Sequence, residues 1–301
     1  MAAEGMPMPW RGTFTLLVTP FDDSGRIDGP SLERLVGHHL AAGAGGLFAV
    51  CGTSEMAALT ADERLAVARS AVAAVGGAIP VLAAANLDED PSAHAREVER
   101  MSACGLDGIV LVPPRRHDGD ADALLRYFEA LVARSSVPVA LYEWPGSRPA
   151  AIPAGVFGRL QRSCGVVGIK DTTCTLAGIA AKVAAAPGAT VFQANNPLLL
   201  AGRAAGAGGT MTITSAVRPD LLAAMWRAAE AGRTGEALAL EREIVFLDAV
   251  LAPNHPGGAK HLLRRAGLID CAAVRAGRVP TEAEAAALEA WERQAPPWQG
   301  R

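Results

Sequence analysis

Eight short runs of apolar and β-branched residues mark the first 216 positions, and a segment with helical period follows each one. They are FTLLVTPF (14–21), GLFAVCG (46–52), IPVLAAAN (79–86), GIVLVPP (108–114), PVALYEW (138–144), VVGIKD (166–171), TVFQANN (190–196) and GTMTITSA (209–216). They recur at intervals of about 25 to 35 residues. A strand apolar along its whole length is buried on both faces, as in a parallel sheet covered by helices. Eight such units in about 220 residues predict an α/β fold, a (β/α)8 TIM barrel. The competing doubly wound sheet usually carries fewer strands, and no Gly-x-Gly-x-x-Gly turn follows the first run.

The intervening segments carry their own start signals. Thr60 with Glu63 three residues on forms a capping-box pattern. Pro91, Pro153, Pro197 and Pro219 stand at expected first turns, where a missing N–H costs nothing. Beyond about residue 230 the strands stop and helix-like segments continue through "GGAKHLLRRAGL" and "TEAEAAALEAWERQ". The reading is therefore a barrel over 1–230 and a helical C-terminal extension over 231–301, with no linker between independent domains.

Charge and composition exclude several classes. A net charge of −3 without a basic block leaves no nucleic-acid footprint. The opening MAAEGMPMPW lacks the charged start and apolar run of a signal peptide. No stretch approaches the roughly 20 apolar residues of a membrane span. The five cysteines are scattered without CxxC spacing and read as reduced thiols in a cytoplasmic protein.

A barrel places its active site at the C-terminal ends of its strands, so the residues ending each run are the ones to examine. The first ends in Thr19 and Pro20, the second in Cys51, Gly52, Thr53, Ser54 and Glu55, the third in Asn86. The fourth ends in Pro113, Pro114, Arg115 and Arg116, and the fifth in Tyr142, Glu143 and Trp144. Lys170 and Asp171 end the sixth, Asn195 and Asn196 the seventh, Thr212 and Thr214 the eighth. Lys170 stands out because 28 basic residues include only three lysines. The other two, Lys182 and Lys260, fall on helices and are compatible with solvated surface. A guanidinium keeps its proton, whereas a desolvated ammonium can lose one and attack a carbonyl. Tyr142 is one of two tyrosines, and the other, Tyr127, lies in a helical segment. An amine and a phenol on neighbouring strand ends suit Schiff-base chemistry on a 2-oxo acid, with the phenol moving protons. The hydroxyls and amides of "CGTSE" would hold the substrate carboxylate. The bland alternative makes Lys170 a salt-bridge partner of Glu143 or Asp171, Tyr142 a packed ring and "GTSE" a turn and helix cap.

These segments, in this order, resemble the dihydrodipicolinate synthase and N-acetylneuraminate lyase superfamily of class I lyases. "GIKDTT" is similar to its Gly-hydrophobic-Lys-Asp/Glu segment, "LYEWPG" to its Tyr-x-x-Pro segment, and "CGTSEMAALTADER" to its Gly-Thr-Thr-Gly-Glu segment. The likeness runs from "TLLVTPF" through the C-terminal helices. It implies a barrel with a helical extension, no metal or organic cofactor, and commonly a homotetramer; the expected assembly is a homo-oligomer, tetramer or dimer. It implies Lys170 as the imine-forming nucleophile, Tyr142 as proton shuttle and Thr53 as a carboxylate anchor. Ser54, Arg148 and Met211 join Thr53 as substrate-binding candidates.

Departures from the pattern narrow the function. Aligned on Glu55, the family's tandem hydroxyl pair becomes Gly52-Thr53, and one relay hydroxyl is missing; aligned from the left, the pair is Thr53-Ser54. The tyrosines that follow the fourth strand's proline in the synthase branch are replaced by Pro114, Arg115 and Arg116. That branch's carboxylate-binding arginine falls on Ser147, with Arg148 one place late. These changes favour an aldolase or dehydratase acting on pyruvate or a related 2-oxo acid, with Arg115, Arg116 and Arg148 suited to a second anionic or polyhydroxylated group. The alternatives are the synthase itself and a non-catalytic barrel that binds a 2-oxo acid.

Overall fold

The computed structural model describes residues 10–88, 90–114, 119–147 and 151–297. Its eight parallel strands are β1 (Gly12–Leu16), β2 (Gly46–Val50), β3 (Val81–Ala84), β4 (Gly108–Leu111), β5 (Val139–Tyr142), β6 (Gly168–Asp171), β7 (Thr190–Gln193) and β8 (Gly209–Thr210). They close in chain order into a barrel, β8 pairing back to β1 through Gly12↔Gly209 and Thr13↔Thr210. All eight predicted strands are present. Nearly every strand residue is buried, as continuous apolar runs demand. The eighth is shorter than its sequence suggests: only Gly209 and Thr210 join the sheet, and Ile213–Ala216 coils into a 3-10 turn.

Helices α1 (Gly29–Ala41), α2 (Ala61–Val75), α3 (His94–Ser102), α4 (Ala121–Val132), α5 (Ala154–Cys164), α6 (Leu176–Ala185), α7 (Leu199–Ala204) and α8 (Pro219–Glu230) follow the eight strands in turn. The predicted capping box opens α2: Thr60 Oγ1 accepts from the Glu63 N–H, and the Glu63 carboxylate accepts from the Thr60 N–H at 2.9 Å. Pro219 starts α8 in the place prolines favour. Helices α9 (Thr234–Leu251), α10 (Gly257–Arg265) and α11 (Glu282–Gln294) come after the barrel, α9 lying against α8 and α11 against both α9 and α10.

Aromatic rings plug the N-terminal half of the barrel. Phe14 and Phe192 meet edge to face, with centroids 5.0 Å apart. Both are essentially inaccessible. The glycines opposite them leave room: a Cβ on Gly46 would lie 2.3 Å from the Phe14 ring, and one on Gly209 would lie 2.6 Å from the Phe192 ring. Above this floor the register sets Lys170 beside Tyr142 on one side and Phe192 on the other.

The two remaining lysines correct the expectation of solvated surface. Lys182 is 3% exposed and Lys260 is 0% exposed. Lys182 reaches back from α6 under the strand ends and pairs with Glu143 at 2.9 Å and Asp171 at 2.7 Å. Lys260 reaches from α10 to Glu55 and donates to the Ala273 carbonyl at 2.7 Å. Each ammonium is buried because it neutralises a buried carboxylate that would otherwise be too costly to desolvate.

Candidate active site

Lys170 lies at the C-terminal end of β6 and is 5% exposed. Its Nζ sits 4.4 Å from the centroid of the Tyr142 ring and 5.7 Å from that of Phe48. Tyr142 and Phe48 pack edge to face at 5.9 Å. The carboxylates that could have paired with Lys170 are taken: Glu143 and Asp171 both belong to Lys182. Among the described residues Lys170 has aromatic faces as neighbours and no ion pair. Burial therefore pulls its amine from 10.5 down to about 8, with a small opposing effect from Cys51. The same burial, with Cys51 adding to it, pushes the Tyr142 phenol well above its ordinary value, so it keeps its proton.

The turn after β2 faces this pair. A Cβ placed on Gly52 would stand 3.3 Å from Tyr142 Oη and 3.5 Å from Trp144 Nε1. Position 52 is therefore the one beside the phenol, and no side-chain hydroxyl meets Tyr142 from it. Thr53 is 2% exposed. The Gly52 and Thr53 N–H groups have no hydrogen-bond partner among the described residues, whereas the next three amides close the turn onto Cys51 and Gly52 carbonyls. Adjacent free amides of this kind form a concavity suited to an anion. Ser54 is different. Its Oγ accepts from Cys51 N–H at 2.5 Å and donates to the Cys51 carbonyl at 2.7 Å, and the residue is 0% exposed. Its hydroxyl is committed to the turn, which corrects its expected place among the substrate-binding groups.

Glu55 holds this turn from outside the barrel. Its backbone is left-handed at φ 59°, and its carboxylate accepts from Lys260 and from the Arg275 and Ala276 N–H groups at 2.6 Å each. The C-terminal extension thus fixes the geometry of Thr53. It also contributes a residue that the motifs do not mark. His255, between α9 and α10, places Nε2 2.9 Å from Thr53 Oγ1. Its Nδ1 is sealed from solvent and has no hydrogen-bond partner among the described residues. Burial first, and the nearby Lys170 charge second, hold this imidazole down to about 4, so it is neutral near pH 7. The sequence signal was thin: a histidine before a proline and two glycines, in a stretch read as extension.

The remaining strand ends stitch the rim together. Asn86 exchanges hydrogen bonds with Val112 across the ends of β3 and β4 and donates to Tyr127 Oη at 2.8 Å. Asn196 donates to Asp248 on α9 and accepts from Thr214, both at 2.7 Å. Met211 is 2% exposed, just past β8, with its N–H on the Gln193 carbonyl. Arg115, Arg116 and Arg148 lie outside the described residues. Among the described residues no group of three or more His, Cys, Asp or Glu side chains is arranged to hold a metal ion. No described helix is long and apolar enough to cross a membrane.

The chain matches the sequence model of the dihydrodipicolinate synthetase family over residues 9–290. It is 32% identical over 261 residues to the 4-hydroxy-tetrahydrodipicolinate synthase of Methylococcus capsulatus, covering 86% of this chain and 89% of that one. The enzyme of the same name from Hyphomonas neptunium is 32% identical over 290 residues, covering 93% and 95%. Dihydrodipicolinate synthase DapA-2 from Bacillus anthracis superposes with a TM-score of 0.90 at 25% identity, covering 97% of this chain and 100% of that one. The fold is shared too with YagE from E. coli, whose crystals held pyruvate (TM-score 0.86, 23% identity, covering 94% and 98%).

Proposed function

This chain belongs to the dihydrodipicolinate synthetase family, whose enzymes are Schiff-base lyases, and we propose that it forms its imine between Lys170 and pyruvate or a related 2-oxo acid. Nζ attacks the C2 carbonyl as a neutral amine, and the carbinolamine loses water to leave an iminium. Tyr142, kept protonated by burial, donates to the departing hydroxyl. The free amides of Gly52 and Thr53 with the Thr53 hydroxyl hold the carboxylate, Met211 lines the cavity, and Arg148 meets the second reactant. One observation carries this reading: of three lysines, only Lys170 lacks a carboxylate partner among the described residues. Incubation with pyruvate and borohydride should add a reduced pyruvyl group to one peptide, the one containing Lys170. No adduct with pyruvate or any larger 2-oxo acid would favour a non-catalytic binding barrel instead.

For the second reactant we propose an aldehyde or the elements of water, as in an aldolase or dehydratase of hydroxylated 2-oxo acids. Gly52 beside Tyr142 supports this, because the hydroxyl relay of the synthase pattern has no side chain there. The names of the relatives favour a second reading, 4-hydroxy-tetrahydrodipicolinate synthase itself. Rates with pyruvate plus aspartate semialdehyde, set against cleavage or dehydration of 2-oxo-3-deoxy sugar acids, separate the two. A cytoplasmic homo-oligomer, tetramer or dimer, completes the proposal.

A further inference from the structure

Aldol cleavage turns the C4 hydroxyl of a 2-oxo acid into an aldehyde, and dehydration expels that hydroxyl. Either step acts on the oxygen at C4. In the synthase pattern a side-chain hydroxyl stands beside the tyrosine, and here Gly52 supplies none. An indole stands there instead. A Cβ on Gly52 would lie 3.3 Å from Tyr142 Oη and 3.5 Å from Trp144 Nε1, so the phenol and the indole N–H border the same small volume. Trp144 comes two residues after Tyr142, just past the mouth end of β5. A second glycine seats its ring: a Cβ on Gly146 would fall 2.4 Å from Trp144 Cζ2 and 2.6 Å from Cε2. The indole is half-buried, and its N–H has no hydrogen-bond acceptor among the described residues.

We propose that Trp144 determines specificity: its indole N–H, together with Tyr142, holds the C4 oxygen of a 4-hydroxy-2-oxo acid, or the carbonyl oxygen of the aldehyde that forms one. This rests on the reading of Lys170 as the imine-forming amine. A 2-oxo acid bonded to Lys170, with its carboxylate on the Gly52 and Thr53 amides, spans from β6 to the turn after β2. The volume beside Gly52 is then at hand for an oxygen two carbons beyond the imine carbon, and no side chain at position 52 competes for the place. An indole N–H donates and never accepts. It suits an oxygen that gains charge but cannot pass a proton along, so proton transfer stays with Tyr142. In the condensing direction the enamine C3 attacks the aldehyde carbon, and the nitrogen pair re-forms the iminium. The C=O pair moves onto the aldehyde oxygen, and Tyr142 gives that oxygen the proton it took from C3. Trp144 meets the same oxygen with a second donor as its negative charge grows. A 2-oxo acid without a C4 oxygen leaves that N–H unanswered.

Two acids that differ only at C4 supply the test: 2-oxobutanoate and 4-hydroxy-2-oxobutanoate, each trapped at Lys170 with borohydride and read by peptide mass. A pyruvyl adduct left by cleavage counts as capture of the hydroxy acid. In wild type the hydroxy acid should reach half-maximal trapping at a concentration about three- to tenfold lower. Trp144→Phe keeps an aromatic ring and removes the N–H, so it should bring the two acids to parity while 2-oxobutanoate stays close to its wild-type value. Gly52→Ala keeps the backbone amides but puts a methyl group between Tyr142 Oη and Trp144 Nε1. It should cancel the preference as well, and it carries the test alone if the first variant does not fold. Equal trapping of the two acids by wild type would overturn the proposal. A preference kept in either folded variant would do the same, because another group would then hold the C4 oxygen. An equal loss for both acids in Trp144→Phe would make the indole only a wall and would overturn it too. Wild-type protein that traps neither acid nor pyruvate would sink the imine reading first and this one with it.

Discussion

A neutral amine attacks a carbonyl and an ammonium does not, so the reactivity of Lys170 depends on how its burial sets its proton affinity. With the amine near 8 instead of 10.5, the neutral fraction rises tenfold per pH unit up to about 8 and then levels. The rate of borohydride-trapped pyruvate uptake should follow that curve; a rate still climbing tenfold per unit through pH 9 and 10 would mean an ordinary, solvated lysine. Lys170→Arg keeps the charge but should abolish trapping while the fold survives. Tyr142→Phe removes only a hydroxyl, so it should still trap pyruvate, slowly, while turnover drops by about 10² to 10⁴. The scarcity of lysine singles out Lys170 from the sequence, but not the aromatic faces around it. Nor could it reveal that Ser54 would fold its hydroxyl into its own turn.

Helix α6 carries the counter-ion that keeps Lys170 free. Lys182 satisfies Glu143 and Asp171 together, and both carboxylates are buried. Removing one partner of a buried pair leaves an uncompensated charge, worth about 3 to 5 kcal/mol. Lys182→Met should therefore lower stability by that order in urea or heat unfolding. It should also raise the apparent amine value of Lys170 in the trapping experiment, as a stranded carboxylate acquires the nearest ammonium. Stability unchanged to within about 0.5 kcal/mol would show the pair to be water-accessible and idle. At this scale the strands could be read directly, because parallel strands are apolar throughout and the helices between them announce their caps. The lysine partnerships could not. Lys182 to Asp171 is a contact between neighbouring elements, and Lys260 to Glu55 spans |i−j|=205, with nothing in the local pattern to mark either. His255 escaped for the same reason, lying |i−j|=202 from Thr53.

At the scale of the molecule, the extension and the barrel share one turn. Glu55 receives Lys260 from α10 and two amides from the segment before α11, so the loop bearing Gly52 and Thr53 is clamped from outside the sheet. Lys260→Met should cost about 3 to 5 kcal/mol and weaken carboxylate capture, raising the pyruvate concentration needed for half-maximal trapping. An unchanged concentration would mean that the turn holds its shape alone. The Phe14 and Phe192 floor has a consequence of another kind. A barrel stoppered at one end is a blind well, and traffic must use the single mouth. Whatever bonds to Lys170 rests at the bottom, and whatever reacts with it arrives on top. The 2-oxo acid should then be first in and last out, its partner second in and first out. Initial-rate studies should show that order, with a dead-end analogue of the partner binding only to enzyme already carrying the imine; equally tight binding to the empty enzyme would mean the well has a second entrance.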